Sequence, residues 1–355
     1  MTIVADAYRY VVGVDTHAAA HHYAVIDSAT GGVVDSAEFS TSAKALGRAA
    51  DWIARRTLPG TGGDLAGVLI SMEGTRSYGA QLTALLLGIG YRVVDAPSPK
   101  RDRGSGKNDV IDAVVAARGA LAKRPDQLAD ARAGELHESL QTLLTARNAM
   151  TTERTRAINA LNALLRTHDL GVDARRKASR PTIRTIRTIA AWRTRQESLS
   201  MATARAEAVR LARRITALDI EVDDNERTLT TIVTQARPSL LNLTGVGPVT
   251  AATVLVAWSH PGRVLNEAAF AKLGGVSPLE VSSGRRHEHR LNRTGDRQLN
   301  RALHSIAKVR LNHDDRTRAY LARRTAEGLT KPRIRRCLKR YIARELFRHL
   351  TTTTA

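Results

Sequence analysis

One cysteine in 355 residues, Cys337, leaves no intramolecular disulfide and no cysteine-based zinc cluster, which fits a reducing cytoplasm. Aromatic residues make up only 4% of the chain, too few for stacking on bases to be its main way of holding nucleic acid. No apolar run approaches the roughly 20 residues of a membrane span. The N-terminus lacks the basic-then-apolar order of a signal peptide. A cytoplasmic protein with no membrane partner is therefore expected. No GxGxxG follows the first strand-like run, which argues against a doubly wound dinucleotide fold.

What is abundant is positive charge. Lysine and arginine total 55 against 34 acids, a net charge of +21. That balance favours polyanions, through phosphate neutralisation and counterion release. The charge is lopsided. Residues 1–100 carry 8 basic and 9 acidic side chains, so the remaining 255 carry the whole excess.

The neutral first part holds four notable carboxylates. Asp15 closes the strand-like run Tyr10–Asp15, and Glu73 closes Val68–Glu73. Asp109 and Asp112 stand three apart at the start of a helical pattern, on one face. Acids at the ends of buried strands, with an acid pair on a helix, suit hard divalent metals such as Mg²⁺, with Mn²⁺ able to substitute. Two such ions could activate a nucleophile and stabilise a leaving oxygen at a phosphodiester. The plainer reading of each acid alone is a turn or helix cap. His17, His21 and His22 follow Asp15 and read as polar turn or strand residues rather than metal ligands.

Three early strands and then strand–helix–strand alternation predict a mixed sheet of ribonuclease-H-like order over residues 9–97. Two long helical runs, about 134–168 and 196–235, carry narrow apolar seams. They read as a coiled-coil hairpin or an oligomerisation arm, or as packing within the monomer. The expected division is 1–125 for the acid domain, 126–237 for the helical region and 238–355 for a mainly α-helical C-terminal domain.

Phosphate contacts are expected at several places. Lys107 lies in the basic loop 98–108. Gly245 and Gly247 open a helix in a turn like half of a helix-hairpin-helix, where backbone N–H groups can meet phosphate or simply make a tight turn. Ser282 and Ser283 precede Gly284 on what reads as a flexible loop, followed by Arg285, Arg286, Arg290, Arg293 and Arg297. Serine beside glycine can reach a phosphate, and clustered guanidiniums could stabilise a pentacovalent transition state. Composition alone favours a phosphate-binding loop there over a nucleophile.

Six segments together resemble a known family. Gly13-Val-Asp-Thr-His17, Glu73-Gly-Thr-Arg-Ser-Tyr-Gly79 and Lys107-Asn-Asp-Val-Ile-Asp-Ala113 are similar to the N-terminal domain of DEDD-type insertion-sequence transposases. That is the insertion-sequence one-ten family, with the Piv invertase and the bridge-RNA-guided recombinases. Leu243–Pro248, Phe270–Pro278 and Ser282 through His304 resemble its C-terminal transposase domain. Ala18 departs from the pattern, where lysine is frequent.

The resemblance implies a RuvC-like domain in which Asp15, Glu73, Asp109 and Asp112 bind Mg²⁺. It implies a serine that forms a covalent phosphoserine with DNA, Ser283 first and Ser282 second. It also implies donor and target DNA, a structured guide (bridge) RNA, and a homo-oligomer, from dimer to tetramer, with composite sites. The competing readings are a junction-type nuclease using acids and water alone, an actin-type ATPase, for which Thr16-His-Ala-Ala lacks the glycine-rich turn, and a binding protein with a decayed site.

Overall fold

The computed structural model describes residues 2–97, 109–172, 181–283, 286–290, 292 and 294–352. Two compact units form: residues 1–133 with 259–264, and residues 134–258 with 265–355. Composition divides the chain in three, whereas here the long helices and the C-terminal region share the second unit.

The first unit is built on a six-stranded sheet. Its strands are β1 (Tyr10–Thr16), β2 (Ala20–Asp27), β3 (Val33–Ser40), β4 (Val68–Met72), β5 (Arg92–Asp95) and β6 (Ala129–Asp130), in the order β3-β2-β1-β4-β5-β6. β1, β4 and β5 run parallel; β2, β3 and β6 run antiparallel to their neighbours. Its helices are α1 (Val4–Ala7), α2 (Ala43–Thr61), α3 (Ala80–Ile89) and α4 (Asp109–Leu121).

Strand alternation explains the two faces. Val12, Val14, Ile70 and Val93 point to the side packed by Ile53 of α2 and by Leu82 and Leu86 of α3. Val11, Leu69 and Val94 point to the other side, against Ala117 and Ala120 of α4. Both faces are covered, so β1 and β4 read as continuous apolar runs. Ser42 caps α2 by accepting from Ala45 N, and Gly62 closes it in the left-handed region at φ 65°.

Gly13 sets how near α4 comes. A Cβ there would lie 1.9 Å from the Ala113 carbonyl oxygen and 2.8 Å from Ala117 N, both backbone atoms. Later residues of α4 reach Val11 and Val4 near the start of β1. The first turn of α4 therefore lies toward the end of β1, where Asp15 stands. Ser71 donates to Ala116 O at 2.7 Å and ties β4 to the same helix.

Residues 259–264 complete this unit. Ser259, at φ 71°, accepts from Ala133 N at 3.1 Å. Arg263 donates from Nε to Asp130 O at 2.9 Å. Its guanidinium is buried and stands near Arg132, and burial first and that like charge second push its pKa down to about 10.

The second unit is mostly helical: α5 (Glu135–Thr167), α6 (Ile183–Ala190), α7 (Leu199–Ala236), α8 (Pro238–Leu241), α9 (Pro248–Trp258), α10 (Glu267–Leu273), α11 (Arg297–His313), α12 (Asp315–Ala326) and α13 (Lys331–Thr351). Between α10 and α11 lies a hairpin of β7 (Leu279–Ser283) and β8 (Arg286–Arg290). The two long helices pack antiparallel on each other within one chain. Ile158, Leu161 and Leu165 meet Ala204, Ala208, Ala212 and Ile215, with Ile186 and Ile189 of α6 closing the seam. Arg147–Glu226 at 2.6 Å, Arg214–Glu153 at 2.6 Å and Asn225 Nδ2 on Leu143 O at 3.0 Å fix the register. Among the described residues no helix is long and apolar enough to cross a membrane.

Gly13→Ala should cost about 1–3 kcal/mol or more, because only backbone could yield. Gly47→Ala, inside α2 with open space around its Cα, should be neutral or gain up to about 1 kcal/mol. Thermal unfolding of the two variants checks the contrast, and a Gly13→Ala protein as stable as wild type would refute the close approach.

Candidate active site

Asp15 stands one residue before the end of β1 and is only 5% exposed. Glu73 follows β4 and extends its ladder, donating from N to Val14 O at 2.9 Å. Thr16 Oγ1 donates to Glu73 O at 3.0 Å. By strand parity, Asp15 lies on the face of Gly13, and Glu73 on the face of Ser71, which is the α4 side. Asp112 is exposed in the first turn of α4, beside the Ala113 carbonyl that meets Gly13. Asp109 begins the same helix, one turn before Ala113.

The fold thus gathers all four backbone positions at one edge of the sheet, under the N-terminal turn of a helix, whose dipole favours negative charge. Among the described residues no group of three His, Cys, Asp or Glu side chains stands close enough to hold a metal. The donors are hard carboxylate oxygens on adjoining elements, the chemistry a divalent metal such as Mg²⁺ takes.

A buried carboxylate needs a partner, and Asp15 has one that sequence reading set aside. His17 Nε2 lies 2.9 Å from Asp15 Oδ2. His17 N in turn donates to His21 Nδ1 at 3.3 Å, and His21 is 1% exposed. Burial lowers the His21 pKa, its largest cause, and the neighbouring His17 adds to this. A neutral His21 with Nδ1 as acceptor agrees with that direction. The three histidines therefore divide the work: His21 braces the β1–β2 turn, His17 touches Asp15, and His22 faces Glu38 at 4.0 Å. The Asp-x-His spacing at the turn was the available signal.

Asp95 ends β5 as Asp15 stands near the end of β1, yet strand parity turns it to the opposite face. There it accepts from Thr75 Oγ1. It is a structural acid and stands outside the group of four.

The serine block is a hairpin, where sequence reading expects a flexible loop. β7 and β8 pair antiparallel, with Ser282 opposite His287 and Ser283 opposite Arg286. The base of the hairpin is fixed by backbone contact. Asp296 N donates to Leu273 O at 2.7 Å, and Asn300 Nδ2 to Gly274 O at 2.6 Å. Gly295, at φ 101°, has no room for a side chain: a Cβ would meet Leu273 O at 2.5 Å.

Of the expected phosphate contacts, Lys107, Arg285 and Arg293 lie outside the described residues, as do the side chains of Ser282, Ser283, Arg286, Arg290 and Asp109. Arg297 is exposed at the first turn of α11, after the Asp296 cap. Gly245, at φ 82°, packs against α11, its Cβ position 3.1 Å from Ile306 O. Gly247 faces open space. α9 behind them is buried from Ala251 to Trp258 apart from Thr253, as a core helix is.

Two family models match this chain. A model described as a transposase, the DEDD transposase of IS110 elements, matches residues 12–168. The model of the Transposase IS116/IS110/IS902 family matches residues 238–322. The "Insertion element IS110 uncharacterized 43.6 kDa protein" of Streptomyces coelicolor is 36% identical over 94 residues, which is 26% of this chain. The aligned stretch spans only 23% of that relative. The two matched segments take in the acid edge and the serine hairpin respectively, and the chain belongs to the IS110 family of transposases.

Proposed function

We propose that this chain is a DNA transposase that cuts and rejoins DNA through a covalent phosphoserine on Ser283, with Ser282 as the alternative nucleophile. The observation that carries the reading is the gathering of Asp15, Glu73 and the acid-bearing first turn of α4 at one sheet edge, in a chain that also holds a braced Ser-Ser hairpin. The strand order β3-β2-β1-β4-β5 supports a RuvC-like, ribonuclease-H-like identity for the acid unit.

In the reaction, the serine Oγ forms a bond to phosphorus as one P–O bond to a deoxyribose breaks. The serine proton is released, and the departing sugar oxygen takes one up. Attack by a sugar hydroxyl of another strand reverses the step and frees the serine. The number of phosphoester bonds is unchanged, so rejoining needs no external energy source. Asp15, Glu73, Asp109 and Asp112 would hold a divalent metal, Mg²⁺ or Mn²⁺. Bound there, such an ion supplies Lewis-acid stabilisation of charge on phosphoryl oxygens. His17 holds the Asp15 carboxylate in place by its 2.9 Å contact. Arg285, Arg286, Arg290, Arg293 and Arg297 follow the serines and offer guanidiniums to the same phosphate or its neighbours.

Donor and target DNA are the substrates under this reading. A structured guide RNA is a further partner, consistent with a large cationic surplus and few aromatics. The seam between the long helices gives a stiff arm suited to assembly as a dimer or tetramer. A second reading, a nuclease acting through water alone, is favoured by one fact: all four acids belong to one compact unit.

Incubation with labelled DNA carrying the ends of the encoding element, in the presence of its RNA, should yield a protein–DNA adduct on a denaturing gel. Ser283→Ala should abolish it. An adduct lost only in Ser282→Ala moves the nucleophile by one residue, and cleaved ends without any adduct support the nuclease. Asp15→Asn should lower adduct formation by about 100-fold or more. Chelation with EDTA should stop the reaction, and added Mg²⁺ or Mn²⁺ should restore it; a reaction indifferent to chelation would refute the metal site.

A further inference from the structure

We propose that the seam between α11 and α13 is a second DNA contact, gripping the sugar-phosphate backbone of duplex DNA through His304, Lys308, Arg335 and Lys339. The inference rests on the reading that the chain acts on DNA. It adds a surface lying partly on α13, beyond the residues that either family model matches.

The two helices pack along each other. Asn300, His304 and Lys308 follow one another at four-residue steps on α11, on one face. Arg335 and Lys339 stand at the same step on α13, beside the buried Ile334 and Leu338. Lys339 is half-buried and donates from Nζ to Asn300 Oδ1 at 2.7 Å, a neutral acceptor. Burial lowers the pKa of Lys339. Burial likewise lowers that of exposed His304, followed by Lys339, Arg335 and Lys308 in that order. The cations therefore feel one another, and no carboxylate is among the causes.

Helix composition explains why. α11 carries no acid over its whole length, and α13 carries only Glu345. Glu345 is committed to Arg310 at 2.6 Å. Half-burying an ammonium beside like charges costs free energy, and an arriving anion offsets it. A run of cations with no acid of its own matches a row of phosphates. His304 to Lys308 spans about 6 Å of helix, the rise of about two phosphates on one strand. No aromatic residue lies on α11, and the exposed Tyr341 of α13 stands about 160° around its helix from Lys339, against Tyr320, so the face has no stacking platform for unpaired bases. That favours duplex backbone over single strands.

The test uses the full chain carrying Ser283→Ala, so that binding is read without chemistry. Fluorescence anisotropy with a duplex of about 20 base pairs of arbitrary sequence is measured from about 50 to 200 mM KCl. Lys308→Ala/Arg335→Ala/Lys339→Ala should reduce the slope of log K against log salt by about 2 to 3, equally for unrelated sequences. Lys308→Ala/Arg335→Ala, which keeps the half-buried lysine, should reduce it by about 2 and guards against a folding defect in the triple variant. The charge-matched Arg156→Ala/Arg166→Ala/Arg184→Ala should leave the slope within about 0.5 of the parent.

An unchanged slope in the seam variants overturns the proposal, as does an equal fall in the control. A fall seen only with single-stranded RNA of the same length overturns it too. A parent chain that binds no DNA sinks the underlying reading as well. Seam variants that lose slope while the Ser283 protein still forms no adduct would uphold the contact and remove the phosphoserine chemistry.

Discussion

The carbonyl oxygen of Ala113 occupies the space that a side chain on Gly13 would fill. With hydrogen alone on that Cα, α4 meets β1 at backbone distance rather than across a layer of side chains. Small residues continue the contact: Ala113, Ala116, Ala117 and Ala120 are all buried. The depth of this approach fixes where the first turn of α4 ends up. That turn carries Asp109 and Asp112, while Asp15 lies two residues after Gly13 on the same side of the strand. The acid edge thus depends on a missing side chain at least as much as on the acids that line it. The Ser71 hydroxyl, 2.7 Å from Ala116 O, sets the helix against β4 in the same way and so relates Glu73 to the group.

A related device appears in the second unit with other residues. Gly295 and Gly275 let the chain on either side of the β-hairpin come together at backbone contact, and Asn300 and Asp296 clamp it. In both places glycine buys proximity, and a hydrogen bond to a carbonyl fixes it. The polar chemistry is mounted on backbone, which has fewer soft degrees of freedom than a long side chain.

Much of this was legible in the sequence. Strands ending in Asp15 and Glu73, and a helix opening with Asp109 and Asp112, show in local patterns of apolar residues and acids. The long helices were legible for the same reason: their seams repeat over many turns. Contacts that join distant residues were not. Asp95 closes an apolar run as Asp15 does, and only the pairing register shows that it faces the other way. His17 looks like any turn residue until its ring is seen on Asp15. Gly13 reads as an unremarkable strand position, because its role depends on a helix a hundred residues later. The serine block reads as a loop because its Ser, Gly and Arg content hides the alternation that the paired strands impose.

The short return of residues 259–264 to the first unit has a consequence for how the chain is made. A protein synthesised from its N-terminus folds its first domain early, yet this one is missing a piece until residue 264 has emerged. Until then Ala133 lacks Ser259, and the Asp130 carbonyl lacks Arg263. The pairing there is short: β6 meets β5 at Val94–Asp130 and Asp95–Ala129, with Ala131 N donating to Val93 O at 2.9 Å and Arg92 paired with Asp130 at 2.8 Å. Closing it requires contacts some 130 residues apart in sequence, the kind that form slowly because the loop entropy comes first. The acid-bearing unit therefore matures only after the chain has passed through the long helices and α9, which ties completion of the first half to synthesis of the second.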